Sequence, residues 1–237
     1  MSVIERLKGG IRRTPLVGRA ARALYLRMQS QRAFHGSGDY WEQRYARGGH
    51  SGAGSYARLA EFKAEVLNAF VAEREIGSVI EFGCGDGHQL SLANYPRYLG
   101  FDVSTTAIAR CKRQFAQDKT KTFELLEQFQ QQRASLVLSL DVIYHLVEDE
   151  VYVDHLRALF EASNAYVIVY ATNRADDGKE ASHVRHRQFT DWINEYAQGW
   201  QLLKYIPNRY PDRGDLALGS SADFYFFENT EAGSLGQ

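Results

Sequence analysis

From residue 78 onward the chain alternates two hydrophobic rhythms. Short apolar runs at 78–82 (SVIEF), 98–103 (YLGFDV), 121–126 (KTFELL), 134–142 (ASLVLSLDV), 164–172 (NAYVIVYAT), 200–207 (WQLLKYIP) and 222–228 (ADFYFFE) predict strands. Several are nearly continuous in apolar residues, the pattern of strands covered on both faces. Between them, 104–117 reads as a helix starting at Ser104 and burying Ile108, Cys111 and Phe115. Segments 147–162 and 188–198 also read as helices, the latter capped near Thr190. This alternation predicts a Rossmann-like, doubly wound α/β sheet of seven strands. The last two runs have no helix between them, so a right-handed crossover is unavailable and the final strand is expected to join antiparallel.

Upstream, Leu59, Phe62, Val66, Leu67, Phe70 and Val71 form the buried stripe of another helix, which Ser55 can cap and Gly77 can end. Before it, DYWEQRYARGGHSGAGSYARLAEF (39–62) places aromatics and an arginine ahead of a loop with four glycines. No Gly-Lys-Ser/Thr closes that loop, so it is not a Walker motif. The first 38 residues form a basic arm. Thr14–Pro15 can start a helix whose face carries Leu16, Ala20, Ala23, Leu24 and Met28. Two readings of the arm remain open: a helix on an acidic membrane surface or partner, or a helix packed on its own domain with its arginines in water. The expected organisation is an arm (1–38), one α/β domain (39–229) and a flexible tail (230–237).

Charge sharpens the picture. The whole chain has a net charge of −1, yet residues 1–34 hold eight arginines and lysines against Glu5 alone. Outside the arm the protein is therefore acidic, a poor footprint for a nucleic-acid backbone, and no nucleic-acid partner is expected. The two cysteines, Cys84 and Cys111, form no CxxC pair, which argues against a disulfide scaffold or a thiolate zinc site and for a reducing, cytoplasmic setting. No apolar run approaches a membrane span, and no secretory-signal pattern opens the chain. Any membrane contact would be peripheral, through the arm at the inner face. Oligomeric state is not legible.

The stretch SVIEFGCGDG (78–87) carries the first candidate chemistry. Glycines after a strand let a ligand approach the backbone more closely than a Cβ would permit, at a helix start with free N–H groups. A dinucleotide site prefers G-x-G-x-x-G; here Gly83, Gly85 and Gly87 are spaced G-x-G-x-G, with Glu81 ahead and Asp86 inside. A carboxylate in the turn would repel a pyrophosphate, whereas a cationic, phosphate-free cofactor tolerates it. Asp102 ends the second strand at the distance expected of an acid that grips ribose hydroxyls.

EFGCGDG, then GFDVS, then LVLSLDVIYHL together resemble the class I S-adenosylmethionine-dependent methyltransferases, over about residues 39–229. The resemblance implies a seven-stranded sheet with an antiparallel last strand and S-adenosyl-L-methionine as cofactor. It also implies that Gly83, Gly85 and Gly87 face the amino-acid and ribose parts, that Asp102 holds the ribose and that Val103 lies against adenine, with Glu127 or Gln128 nearby. Glu81, Cys84, Ser139 and Asp141 fall in the same implied site. YWEQRYARGGHSG resembles a lid segment in which Tyr40, Trp41 and Tyr45 cover the cofactor and Arg44 faces its carboxylate; the other reading makes the aromatics core and Arg44 a surface ion pair.

Transfer to an alcohol needs a general base. In LSLDVIYHLVEDE, Asp141 and His145 stand at i and i+4 with Tyr144 between. In a helical turn His145 can be the base and Asp141 its orienter; alternatively Asp141 lies near the cofactor's methionine part and His145 makes a polar packing contact. In SHVRHRQFTDW, His183, Arg185, His186 and Arg187 crowd one loop, suited to an anionic substrate group or merely solvated. His183 and His186 are the reserve bases, and no third ligand joins them for a metal. Arg209 in NRYPDRGD is a further acceptor contact. More loosely, the ordered motifs resemble bacterial enzymes of surface-glycan modification, which implies an O-methyltransferase acting on a sugar or sugar phosphate. A natural-product or phosphate-type acceptor, a non-catalytic cofactor-binding module and a nicotinamide oxidoreductase are the alternatives.

Overall fold

The structure is a computed structural model that describes residues 34–215 and 218–231. The expected arm helix from Thr14 and the tail beyond Glu231 lie outside the described residues. In chain order the elements are α1 (Ser37–Ala46), α2 (Ala57–Glu73), β1 (Val79–Phe82), β2 (Tyr98–Asp102), α3 (Thr105–Gln114), β3 (Lys121–Leu125), β4 (Ala134–Leu140), α4 (Asp149–Glu161), β5 (Ser163–Ala171), α5 (Phe189–Tyr196), β6 (Trp200–Ile206) and β7 (Asp223–Asn229). Each of the seven expected runs is a strand. They form one sheet in the order β3-β2-β1-β4-β5-β7-β6. β1 to β5 are parallel, and β7 pairs antiparallel with both β5 and β6.

Successive residues of a strand point to opposite faces, so each strand feeds two cores. Val79, Leu136, Leu138, Ile168 and Phe226 pack with Phe62, Leu67 and Phe70 of α2 and Ile108 and Cys111 of α3. Ile80, Val137, Val167, Val169 and Phe227 pack with Leu156 and Leu159 of α4 and Phe189 and Ile193 of α5. Chain order reverses between β1 and β4, which leaves a crevice at their carboxyl ends, beyond Phe82 and Leu140.

Three helix ends differ from expectation. Ser55 does not cap α2; it closes a 3-10 turn at Ala53–Ser55, and α2 starts after Tyr56 without a side-chain cap. α2 stops at Glu73 rather than at Gly77, because Glu75 takes the left-handed conformation (φ 51°) and the Ile76 N–H bonds the Val71 carbonyl at 3.0 Å. Buried Ile76 closes that end against the core. Thr190 does not cap α5; it lies in its first turn and bonds Asn173, and the helix follows Gln188. Ser104 does cap α3, accepting the Ala107 N–H at 3.0 Å.

Candidate active site

The glycine turn hangs from β2: the Gly83 and Cys84 N–H groups both bond the Phe101 carbonyl, at 2.7 and 3.0 Å. Two of its glycines are sterically obligatory. A Cβ on Gly83 (φ +87°) would meet Val142 at 2.4 Å, and one on Gly85 (φ +59°) would meet the Ser51 hydroxyl at 2.4 Å. Beside the turn is a cavity of about 400 Å³, bordered by Glu81, Gly83, Cys84, Gly85, Gln89, Asp102, Val103, Asp141 and His145. Leu126, Phe129 and Phe101 give it an apolar end, so the expected place of Glu127 or Gln128 is taken by their apolar neighbours.

Asp102 is buried at one side of this cavity. Its Oδ2 accepts the Gly85 N–H and its Oδ1 the Ser104 N–H, both at 2.9 Å. Burial pushes its pKa up to about 6, with those backbone N–H bonds working against the shift. A carboxylate offers about four lone-pair sites, so acceptor capacity remains beyond the Gly85, Ser104 and Val103 N–H groups. Glu81 is also buried; its carboxylate accepts the Tyr98 hydroxyl at 2.6 Å, and burial raises it to about 7.

A lid closes over the turn, and its fastenings are clear. Glu42 on α1 accepts from the Ser104 and Thr106 hydroxyls at the start of α3, each at 2.6 Å. Arg110 of α3 donates to the Gly49 carbonyl at 2.7 Å and to that of Tyr45. Asp86 does not project charge at a ligand, as the sequence suggested. Its Oδ2 accepts the Ser51 N–H at 2.9 Å and the Tyr56 hydroxyl at 2.8 Å, while the Asp86 N–H donates to the Ser51 hydroxyl at 3.0 Å. Although burial opposes it, these bonds hold the Asp86 pKa below the usual carboxylate range. Trp41 and Tyr45 border the cavity under this lid. Tyr40 and Arg44 do not: Tyr40 stacks on His183 at 4.2 Å, and Arg44 donates to the His50 carbonyl at 2.7 Å.

At the carboxyl end of β4 the chain makes a 3-10 turn, Ile143–His145, rather than an α-helical one. A three-residue repeat brings i and i+3 together. Asp141 Oδ1 therefore accepts the Tyr144 hydroxyl at 2.8 Å, and Asp141 is not the hydrogen-bonding orienter of His145. Its Oδ2 takes Lys63 Nζ at 2.6 Å, a pair whose side chains are 1% and 12% exposed. Asp141 adopts φ 60°, a strained conformation for a non-glycine residue that this double anchorage holds.

His145 is oriented instead by a main-chain group: its Nδ1 lies 3.0 Å from the His183 carbonyl. A carbonyl only accepts, so Nδ1 carries the proton and Nε2 is the ring's acceptor. Among the described residues no group bonds Nε2, and the ring borders the cavity. Burial lowers the pKa to about 4, so the imidazole is neutral at neutral pH. Trp41 meets it edge-on at 4.9 Å.

Several expected contacts lie elsewhere. His183 stands behind His145, stacked at 5.6 Å, and outside the cavity lining. His186 is buried against Thr172, Nδ1 to hydroxyl 2.5 Å, and does not reach the cavity. Arg185 and Arg187 both pair with Asp149 at 2.9 Å and donate to the Val147 carbonyl, so the repulsion expected of crowded cations is relieved within the protein. Arg209 forms a two-pronged pair with Glu65, at 2.6 and 2.7 Å, beside a separate concavity of about 350 Å³. Tyr144 spends its hydroxyl on Asp141 and Ser139 bonds buried His155 at 2.9 Å; neither borders the cavity, although both partners do. A Cβ on Gly87 would meet Cys111 and Phe115 at 3.0 Å, which puts that glycine against α3. The Cys84 thiol borders the cavity, but hydrogen bonding to Cys111 and burial push its pKa up, so it is no nucleophile.

Lys63 and Gln89 are among the cavity residues that went unnoticed in the sequence. Lys63 was detectable: it stands between Leu59 and Leu67 at helical spacing, a charge inside an apolar stripe. Gln89 carried no signal in sequence. Its Nε2 donates to the Ala60 carbonyl at 3.1 Å, while its buried Oε1 has no partner among the described residues.

These features fit a cationic nucleoside donor. With Asp141 and Lys63 paired to each other and Asp86 turned to the lid, the lining still holds the carboxyls of Glu81, Asp102 and Asp154 and no unpaired lysine or arginine among the described residues, the reverse of what a pyrophosphate needs. The cradle at Gly83 and Gly85, a carboxylate with spare acceptor sites and an orphaned amide oxygen match a ligand with donor groups. No helix among the described residues is long and apolar enough to cross a membrane.

A family model described as a methyltransferase domain matches residues 54–209. Among solved structures the chain is similar to the methyltransferase domain of bacterial CtHen1-C, at 19% identity and TM-score 0.55, covering 70% of this chain and 96% of that one. It is also similar to the N-methyltransferase NodS from Bradyrhizobium japonicum WM9 in complex with S-adenosyl-L-homocysteine, at 14% identity and TM-score 0.56, covering 72% and 87%. Magnesium protoporphyrin IX methyltransferase (ChlM) from Synechocystis PCC 6803 with bound SAM gives 16% identity and TM-score 0.54, covering 81% and 90%. At these identities the likeness is one of fold. No curated protein matches the chain.

Proposed function

The chain belongs to the methyltransferase domain family, whose methyl donor is S-adenosylmethionine, and we propose that it methylates a hydroxyl oxygen of a sugar-type acceptor in bacterial glycan biosynthesis, with His145 as general base. S-adenosylmethionine, when bound, supplies a methyl group already activated on a sulfonium centre. What remains for the protein is positioning, exclusion of water and removal of the acceptor's proton.

Asp102 would hold the ribose hydroxyls, and Gly83 and Gly85 admit the ligand against backbone. Phe101, Val103, Leu126 and Phe129 would enclose the adenine. Trp41 and Tyr45 cover the cavity under a lid latched by Asp86 and Glu42. His145 would receive the acceptor hydroxyl's proton at Nε2 as the methyl carbon exchanges its bond to the sulfonium sulfur for one to that oxygen, leaving neutral S-adenosylhomocysteine, and the His183 carbonyl would stabilise the Nδ1–H of the imidazolium.

The observation that carries the reading is the tautomer of His145: a neutral ring beside the cavity whose acceptor nitrogen has no partner among the described residues. The acceptor is best read as uncharged, since Arg185, Arg187 and Arg209 are already paired with carboxylates. The test is His145→Ala with glycan and free-sugar acceptors. Turnover should fall by about 10²–10⁴, while affinity for S-adenosylhomocysteine stays within about twofold of the parent, since the ring acts on the acceptor alone. Full turnover in that variant sinks the base assignment.

A further inference from the structure

We propose that Gln89 is a positioning residue for the methyl donor, its side-chain oxygen Oε1 receiving the ammonium of the donor's amino-acid arm. The inference rests on the methyltransferase reading and deepens it.

Gln89 opens a 3-10 turn, Gln89–Leu92, directly after the glycine turn, and it is 9% exposed. Its Nε2 is committed to the Ala60 carbonyl of α2 at 3.1 Å. A carbonyl accepts only a donor, so this bond fixes which end of the amide is oxygen. That oxygen is the single buried side-chain polar atom without a partner among the described residues, and the residue borders the cavity. A buried acceptor left unbonded is costly, and native structures rarely carry one without a reason. What satisfies it must therefore be a donor.

The donor molecule offers three kinds of N–H or O–H group: the adenine amino group, the ribose hydroxyls and the ammonium. The apolar end around Phe101, Val103, Leu126 and Phe129 suits adenine, and the Asp102 carboxylate suits the ribose. Gln89 lies on the α2 side, bonded to Ala60 one turn from Lys63, which also borders the cavity. An amino-acid arm there lies beside the Lys63–Asp141 pair, which carries no net charge, and places its ammonium at the amide oxygen. A neutral amide serves a zwitterion better than a carboxylate would, because it attracts the ammonium without repelling the neighbouring carboxylate.

The experiment compares two ligands by calorimetry: S-adenosylhomocysteine, which carries the arm, and 5′-methylthioadenosine, which keeps the nucleoside and thioether but lacks it. Gln89→Met, close in shape with no acceptor, should weaken S-adenosylhomocysteine by about tenfold to a hundredfold, while methylthioadenosine binds within about twofold of the parent because its contacts are untouched. Gln89→Glu, which keeps an acceptor oxygen, should restore most of the discrimination between the ligands. Equal weakening of both ligands by Gln89→Met would mean that Gln89 only ties the turn to α2, and no change for either would mean it faces no ligand. Either result overturns the proposal and leaves the methyltransferase reading standing. A parent protein that binds neither ligand overturns the donor reading itself, and this inference with it.

Discussion

Asp102→Asn perturbs the charge on which donor binding depends while keeping the side chain's shape. Each Asp102 oxygen already accepts a backbone N–H, from Gly85 and from Ser104. An amide must turn its NH2 toward one of those donors, so the variant loses a bond inside the turn as well as its charge. Charge-assisted bonds to ribose hydroxyls contribute about 1.5–3 kcal/mol, so S-adenosylhomocysteine should bind about tenfold to a hundredfold more weakly at pH 7.5. The pH dependence gives a second reading. Burial raises the Asp102 pKa to about 6, and hydroxyl donors favour the ionised form, so affinity is full above that value and declines below it. At pH 5 about a tenth of the unliganded protein carries the carboxylate, and the parent should lose about tenfold in affinity between pH 7.5 and pH 5. Glu81, near 7, titrates in the same window, and the difference between parent and variant isolates Asp102. His145 and His155, near 4, titrate below it. Calorimetric titrations at pH 5, 6 and 7.5 on both proteins decide the matter. Unchanged affinity at pH 7.5, or an identical pH slope in the variant, would refute the ribose role.

Two further outcomes concern the frame around the site. Lys63→Met leaves the Asp141 carboxylate with the Tyr144 hydroxyl alone and should cost about 3–5 kcal/mol, lowering Tm by roughly 6–20 °C, because the pair is almost wholly buried. Adding Asp141→Asn should recover part of that loss; additive damage in thermal melts would show that the two residues do not work as a pair. His155 is buried and its folded pKa is lowered to about 4, so its neutral form supports the fold above its unfolded pKa, and that support is lost as pH falls from about 6.5 toward 4. His155→Gln still offers Ser139 a hydrogen-bonding group and should remove about 2–3 kcal/mol of the stability lost between pH 7 and 4.5. Equal losses in urea unfolding of both proteins would contradict this.

The sheet was readable because parallel strands covered on both faces announce themselves as apolar runs, and the missing helix before the last run foretold its antiparallel pairing. The glycine turn after β1, the position of Asp102 at the end of β2 and the Ser104 cap were equally legible, since each follows from the local pattern of residues. The rest depends on contacts between distant segments. The pairing of Arg185 and Arg187 with Asp149 spans more than thirty residues, and it turns a supposed anion site into a brace on the start of α4. The i, i+4 argument for Asp141 and His145 assumed an α-helical turn; the 3-10 turn delivered Tyr144 to Asp141 instead, and a main-chain carbonyl from residue 183 to His145. Asp86 looked like a charge facing a ligand because the sequence does not show that Ser51 and Tyr56 fold back over it.

The most direct measurement is a crystal structure of the protein grown with S-adenosylhomocysteine. The account predicts the nucleoside in the cavity beside Gly83 and Gly85, with both ribose hydroxyls on Asp102 and the sulfur on the His145 side. A cavity left without ligand at saturating concentration, or a ribose held by groups other than Asp102, would contradict it.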